Sequence, residues 1–251
     1  MERIAEASPR RLARIGGGVY LINIVLGFFS IGVIPSLLIV SGDAAATAHN
    51  ILANELLYRS GIVAHIIILL TNFPLAVIFY ELLRVVNRKL SLLVVFFTLV
   101  GTAIEGVALL NQFEPLVLLA GGQSLTAFNT QQLQALAYTQ IEMQNINFNL
   151  PQVFYSFYLL SAGYMVFRST FLPRAVGVLL TSASLAYLTN SFASFLAPSF
   201  AASLFPYILV PGLIGEGSIC LWLLVKGVNV QRWRERASAA GDWQSYSVLN
   251  P

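Results

Sequence analysis

The stretch from Gly61 to Leu83, GIVAHIIILLTNFPLAVIFYELL, decides the fold of this chain. At about 1.5 Å of helical rise per residue it is long enough to cross a hydrocarbon core of about 30 Å. Its one acidic residue, Glu81, stands three residues before Arg84 at one end of the run. Such a run predicts a transmembrane helix.

The composition extends this interpretation to the whole chain. Of the 251 residues, 57% are hydrophobic and only 10% are charged, whereas a soluble domain carries about 25% charged residues. An apolar and aromatic composition also excludes a disordered or low-complexity protein. The net charge of +3 does not predict nucleic-acid binding, because the basic residues are spread along the chain and form no single patch.

Six apolar runs are each long enough to span a bilayer. With short loops they use up most of the chain, which predicts an all-α, polytopic membrane protein with six transmembrane helices. The predicted domains are a cytoplasmic N-terminal segment (1–14), a transmembrane domain (15–229) and a cytoplasmic tail (230–251). The six predicted spans are Ile15–Val40, Gly61–Leu83, Leu90–Leu110, Phe148–Phe167, Pro173–Ala197 and Ser203–Val225.

The basic residues predict how these spans are oriented. Cytoplasmic loops of membrane proteins carry an excess of Lys and Arg. In a six-span topology, thirteen of the fourteen basic residues lie on one side of the membrane, and only Arg59 lies on the other. This pattern places both termini in the cytoplasm.

The two longer connections on the outer side have helical patterns of their own. The segment from Asp43 to Ser60 predicts a short amphipathic helix after the first span, with Asp43 as its N-cap. The segment from Thr130 to Asn149 is polar but helical in its period, and it predicts a water-exposed extension that runs into span four. Pro151 predicts a kink where the two join.

Ionisable groups inside the spans are candidate functional residues, because they are costly in a bilayer. Glu105 and Glu216 lie deepest, at about 21 Å and about 15 Å of helical rise from the cytoplasmic ends of their spans, with Asn72 at about 18 Å. A carboxyl at that depth must be protonated or hydrogen-bonded, and Asn72, Asn111 and Asn190 are the expected donors. These residues predict one layer of polar groups and a cavity between spans two, three and six.

Each of these groups also has a simpler interpretation. A polar side chain in a span can serve only to hydrogen-bond a neighbouring helix, which is worth about 1 kcal/mol. His65 lies about four residues into span two from the outer side, so interfacial water is within its reach. As an ionisable group inside a span, it nevertheless stays with Glu216, Glu105 and Asn72 among the ligand-binding or proton-carrying candidates.

Proline and glycine crowd the outer half of span six. Pro206 and Pro211 precede Glu216, and this predicts a bend just outside that carboxyl. Small residues also allow close helix packing, with Gly32 of span one and Gly163 of span four as the expected partners.

Aromatic and amide side chains gather at the start of span four. They predict the floor of a cavity that is open to the outside, although an interfacial belt and helix packing explain such residues more often. The residues are Phe148, Asn149, Gln152, Tyr155 and Tyr158.

No catalytic template fits the chain. The two histidines, His49 and His65, lack metal-site spacing, and the single Cys220 excludes a site of several cysteines. No nucleophile elbow or phosphate-binding loop occurs either. We therefore predict no catalytic residue and no metal site, and the sequence identifies no cofactor.

Three functional hypotheses remain, in order of preference. The first is a non-enzymatic integral membrane protein that binds a small apolar or amphipathic molecule, or a membrane partner, through its outward half. The second is a proton-coupled small-molecule transporter in which Glu216 or Glu105 carries the proton, and the third is an intramembrane enzyme. Besides the lipid bilayer, the expected partners are a small apolar ligand and either a second copy of the chain or another membrane protein.

Five short stretches, taken in order, resemble a bacterial membrane family catalogued as domain of unknown function 4386. The resemblance covers nearly the whole chain, from about Ser8 to Val228. It implies an integral protein of the bacterial inner (plasma) membrane with no assigned activity, so no catalytic residues are carried over. The stretches are SPRRLAR from Ser8, GDAAATA from Gly42, LLRVVNR from Leu82, FLPR from Phe171 and LWLLVKGV from Leu221.

The chain departs from that family pattern at the start of span four. Members often have an Asp and a His there, where this chain has Glu142, Met143 and Gln144. The resemblance therefore implies no metal site at this position.

Overall fold

The computed structural model describes residues 8–122 and 125–240, apart from the side chains of residues 145 and 146. Within these residues all regular structure is helical, which confirms the all-α prediction. Six long helices, α1 to α6, follow the six predicted spans in order. Their bounds are Pro9–Leu38, Glu55–Leu83, Arg88–Leu109, Thr130–Arg168, Arg174–Leu196 and Val210–Val225.

Five of these helices are long and apolar enough to cross a membrane. They are α1, α2, α5, α3 with its continuation to Ala120, and α6 with the preceding turn from Tyr207. Helix α4 is not among the five; its first half is polar, and its second half contains Gln152 and several tyrosines. The chain is therefore a helical membrane protein, while the count of six spans and the cytoplasmic position of both termini remain predictions.

The six helices form a closed ring in chain order. Helix α1 packs on α2, α2 on α3, α3 on α4, α4 on α5, α5 on α6, and α6 packs back on α1. Short connections join α2 to α3 and α4 to α5, as expected for antiparallel neighbours. Polar side chains that point inward from different spans therefore face a common interior.

A glycine contact between α1 and α6 closes the ring. A Cβ atom at Gly17 would overlap the backbone nitrogen of Leu224, so only glycine lets the two helices come so close. The two glycines that the sequence predicts as packing partners of α6 do not pack against it. Gly163 packs against α5, and a Cβ at Gly32 would meet only the Phe28 ring of its own helix.

One end of the ring is filled with packed apolar side chains. A single buried cluster there draws on all six helices, from Phe79 of α2 and Met165 of α4 to Leu223 of α6. A C-terminal helix, Val230–Ala239, covers this end, and the indole Nε1 of its Trp233 donates to the Leu82 carbonyl oxygen at 3.0 Å. The described basic residues other than Arg59 lie in helix ends and turns at this end of the ring, so we call it the basic end. Residues 241–251 of the predicted tail lie outside the described residues.

The opposite end is made of short helices and the polar half of α4. Asp43 caps the helix Ala44–Ala53 as predicted, accepting from the Ala46 backbone N–H at 2.8 Å. That helix is shorter than the sequence predicts, because a break at Asn54 ends it and residues 55–60 belong to α2. The predicted extension before span four is helical, and the α4 helix continues through Pro151.

Helices α1 and α6 both depart from regular α geometry in the half of the ring away from the basic end. Residues Phe28–Val33 of α1 form a π-helix, and a 3₁₀ turn, Tyr207–Leu209, precedes α6. The irregular part of span six thus lies between Pro206 and Pro211, about two helical turns before Glu216.

Candidate ligand-binding cavity

A cavity of about 830 Å³ occupies the interior of the ring, in the half away from the basic end. All four predicted site residues, Glu216, Glu105, Asn72 and His65, line it. The sequence predicted a cavity between spans two, three and six, but its wall also includes side chains of α1, α4 and α5. The reason is the ring topology, which gives every helix an inner face.

The first polar cluster in the cavity is centred on Glu105 of α3. Its Oε1 lies 2.8 Å from His65 Nε2, and its Oε2 accepts the Tyr155 hydroxyl at 2.6 Å. The Gln112 amide nitrogen lies 3.0 Å from His65 Nδ1, so both ring nitrogens of the imidazole have a polar partner. His65 therefore belongs to a buried network and is only 6% exposed, which is not the position of an interfacial residue.

Asn72 of α2 extends this cluster to α1 and adds contacts to α3 and α4. Its Nδ2 donates to the hydroxyls of Thr102 and Tyr155, both at 3.1 Å. Its Oδ1 accepts from Asn23 Nδ2 of α1 at 2.9 Å. One amide thus connects α1, α2, α3 and α4, and satisfies polar groups that would be costly in a bilayer.

The second polar cluster surrounds Glu216 of α6. Its two carboxylate oxygens accept the hydroxyls of Tyr187 at 2.7 Å and Tyr20 at 2.9 Å. Within the described part of the chain, no Lys, Arg or His forms an ion pair with Glu216. The carboxylate is held between two phenols and remains partly exposed at the cavity wall.

The two carboxyls share one cavity, but they do not share one hydrogen-bonded layer. Asn72 belongs to the Glu105 cluster, whereas the hydrogen bonds of Glu216 run to tyrosines of α1 and α5. The expected asparagine donors are not the ones that the carboxyls use, and Asn190 donates to Asn149 instead, at 3.0 Å. A phenol suits this role because its rigid apolar ring reaches across the gap between helices and ends in a hydroxyl.

Sequence reasoning missed Tyr20 and Tyr187 as partners of Glu216. For Tyr187 the available signal was its depth, since interfacial aromatic belts lie at the ends of spans, whereas Tyr187 lies in the middle of span five. Tyr20 lies only five residues into span one, and its position gave no such signal. A tyrosine buried inside a bilayer needs a hydrogen-bond partner, and a nearby carboxylate is the best acceptor. Of the aromatic and amide residues at the start of span four, Phe148, Gln152, Tyr155 and Tyr158 line the cavity.

The polar groups of the cavity wall are mainly carboxylates, phenols and amides. Among the described residues, no group of three or more His, Cys, Asp or Glu side chains is placed to hold a metal. The wall offers carboxylates, phenols and amides among apolar side chains. These groups recognise charge and hydrogen-bonding groups on small molecules.

Fold and cavity together define a class: helical integral membrane proteins whose ring of helices encloses a cavity. Residues 15–227 match the family model described as Domain of unknown function (DUF4386), and the chain belongs to this family. An uncharacterised protein from Archaeoglobus fulgidus is 25% identical over 166 residues, which cover 66% of this chain and 83% of that relative. No solved structure matches the chain.

Proposed function

We propose that this protein binds a small amphipathic molecule inside its membrane domain. The observation that carries the proposal is the cavity itself, whose volume of about 830 Å³ lies in the range of small-molecule sites. Polar groups converge on it at two points, around Glu105 and around Glu216, and most of the remaining wall is apolar. Helix packing alone would account for the hydrogen bonds, but it does not explain why the interior of the ring contains an open cavity.

The proposed setting is the plasma membrane of a bacterium, with the basic end in the cytoplasm. The distribution of Lys and Arg supports this orientation, since thirteen of fourteen lie on one side of a six-span topology. The cavity then faces the outer half of the membrane. No catalytic step is needed for this role, and a binding role is compatible with either a single copy or an assembly with a membrane partner.

Filling the cavity is expected to remove the bound molecule. Ala108 of α3 lines the cavity, whereas Ala103 of the same helix is exposed outside it. Wild-type protein, Ala108→Trp and Ala103→Trp are purified in nanodiscs of native lipid, and their small-molecule content is compared by mass spectrometry. We expect a compound that is enriched in the wild type and in Ala103→Trp, and depleted about tenfold or more in Ala108→Trp.

The matched control makes the result interpretable. Both variants add the same side chain to the same helix, so a general effect of tryptophan would appear in both. Equal small-molecule content in all three proteins, at equal thermal stability, would contradict a ligand-binding cavity.

A proton-coupled transporter is the second candidate, and the asymmetry of the ring favours it. Buried apolar side chains close the basic end, whereas the other half of the ring contains the cavity. A site closed on one side and accessible from the other is what one state of an alternating-access cycle requires. In proteoliposomes, uptake of the molecule found in the nanodisc experiment should follow an imposed proton gradient and be lost in Glu216→Gln. Uptake that ignores both the gradient and the substitution would exclude proton coupling.

A further inference from the structure

The cavity has an opening toward the lipid between α1 and α6. Phe28 and Leu213 both line the cavity, yet they are 72% and 64% exposed. Phe205, just before α6, also belongs to the wall and is 61% exposed. Wall residues with such large exposed fractions are expected at the rim of an opening, and all three belong to α1 or to span six.

The irregular helix geometry explains why the two helices separate here. The π-helix of α1 packs on α2, whereas the 3₁₀ turn before α6 packs on α5 and on α6 itself. The close contact between Gly17 and Leu224 lies nearer the basic end. Helices α1 and α6 are therefore joined at that end and diverge toward the outer leaflet, and π-helical turns are frequent at functional positions.

Two glycines keep this opening clear. A Cβ atom at Gly27 would meet nothing within 4 Å, and one at Gly32 would meet only Phe28 of the same helix. Both glycines line the cavity. They differ from Gly17, which permits a close helix contact, because here the missing side chain leaves open space.

The charges in the cavity favour a cationic ligand. The described lining residues include three glutamates, one histidine and no lysine or arginine. His65 already faces Glu105, whereas Glu216 has only the phenols of Tyr20 and Tyr187. An ammonium group would give Glu216 a counter-ion and charge-assisted hydrogen bonds, and the neighbouring tyrosine rings attract cations.

We infer that the ligand is a cationic amphiphile that reaches the cavity from the outer leaflet, between α1 and α6. Its ammonium group binds at Glu216, and its apolar chain lies along Phe28 and Leu213 toward the lipid. This inference rests on the proposed binding function and adds the charge of the ligand and its route.

The charge of the ligand is tested with three fluorescent probes that share one alkyl chain and end in a primary amine, an alcohol or a carboxylic acid. They are titrated into the protein in nanodiscs of zwitterionic lipid, with empty nanodiscs as the control for partitioning. We expect the wild type to bind the amine about tenfold or more tightly than the alcohol, and the acid most weakly. Glu216→Gln should bind the amine and the alcohol about equally.

The outcomes separate this inference from the proposed function. If the alcohol or the acid binds as tightly as the amine, and Ala108→Trp abolishes that binding, the cavity binds a ligand but the cationic assignment is wrong. If none of the three probes binds, the inference is overturned. The proposed function itself then depends on whether Ala108→Trp depletes a co-purifying compound.

The route is tested with a substitution that fills the opening. Gly27→Leu places a side chain in open space at the rim, and Gly217→Leu is the matched control, because a Cβ there also meets nothing within 4 Å but Gly217 is not part of the cavity wall. We expect Gly27→Leu to slow association of the amine probe about tenfold in stopped-flow fluorescence, and Gly217→Leu to leave it unchanged. Equal association rates in the two variants would exclude lateral access.

Discussion

Glu216→Gln is expected to keep its fold and to bind the amine probe about tenfold or more weakly than the wild type, whereas Glu105→Gln should weaken binding far less. The difference follows from the partners of the two carboxylates. Glu105 already faces an imidazole, while Glu216 accepts only two phenol hydroxyls. A cationic ligand therefore gains more binding free energy at Glu216 than at Glu105.

The glutamine variant should fold because phenols can reverse their hydrogen bonds. A hydroxyl both donates and accepts, so either Tyr187 or Tyr20 can turn to accept from the new amide. Volume and shape hardly change. Removal of the negative charge is then the main difference between the two proteins.

Probe affinity in nanodiscs and the thermal unfolding midpoint in detergent are measured for both variants. The unfolding midpoints should stay close to that of the wild type, which would confirm that any loss of affinity is local. A loss of affinity in Glu105→Gln as large as that in Glu216→Gln would show that the two carboxylates act as one unit, and it would argue against Glu216 as the separate cation site.

The helices of this protein could be predicted because hydrophobic length alone nearly determines them. The run from Gly61 to Leu83 lies inside α2, and the other predicted spans each overlap one long helix. The errors lie where polar segments continue apolar ones. Residues 55–60 were assigned to an outer helix but extend α2, because nothing in their composition marks where the membrane begins.

The candidate site could be predicted only in part. The cost of ionisable groups in a bilayer identifies Glu105 and Glu216 from the sequence, and depth along each helix can be counted. Depth does not give rotation about the helix axis, and rotation decides which helices a side chain faces. Tyr20 and Tyr187 were therefore missed, although each lies within hydrogen-bond distance of Glu216.

The opening between α1 and α6 lay beyond sequence analysis for a related reason. It depends on the π-helix at Phe28–Val33, which packs on α2, and on the 3₁₀ turn before α6, which packs on α5 and α6. Prolines and N-cap residues can be recognised in a sequence, but no comparable residue pattern predicts a π-helix or the neighbours of a helix. In the sequence, Gly27 and Gly32 look the same as glycines that allow close helix packing. Only their surroundings in the structure show whether a glycine lies at an opening or at a helix contact.

The pair of His65 and Glu105 provides a second large effect, on stability. The two side chains are 6% and 9% exposed, and among the described residues the other hydrogen bond of Glu105 comes from the Tyr155 hydroxyl. His65→Leu would leave a buried carboxylate without the imidazole and the Gln112 amide without its acceptor. Leaving a buried polar group without its partner costs about 1–3 kcal/mol, and more for a charged group, so the unfolding midpoint in detergent should fall clearly.

Removing both partners should cost less than removing one. In His65→Leu/Glu105→Leu no buried charge is left unpaired, and the Tyr155 hydroxyl keeps Asn72 and Thr102 as partners. Replacing both partners of a buried hydrogen-bonded pair by apolar side chains can be close to neutral, so the double variant should be more stable than His65→Leu alone. The exposed pair of Arg59 and Glu55 is the control, since Arg59→Leu should cost under about 1 kcal/mol.

The interaction energy between the two substitutions shows whether His65 and Glu105 stabilise the fold independently or mainly through each other. If the double variant loses as much stability as His65→Leu and Glu105→Leu together, the effects add, and each side chain supports the fold through contacts of its own. If it unfolds above His65→Leu, as we expect, His65 is there to compensate Glu105. A buried histidine and glutamate that can be removed together at little cost to stability are not required by the packing of the ring, and their place in the cavity wall is then better explained by the molecule that the cavity holds.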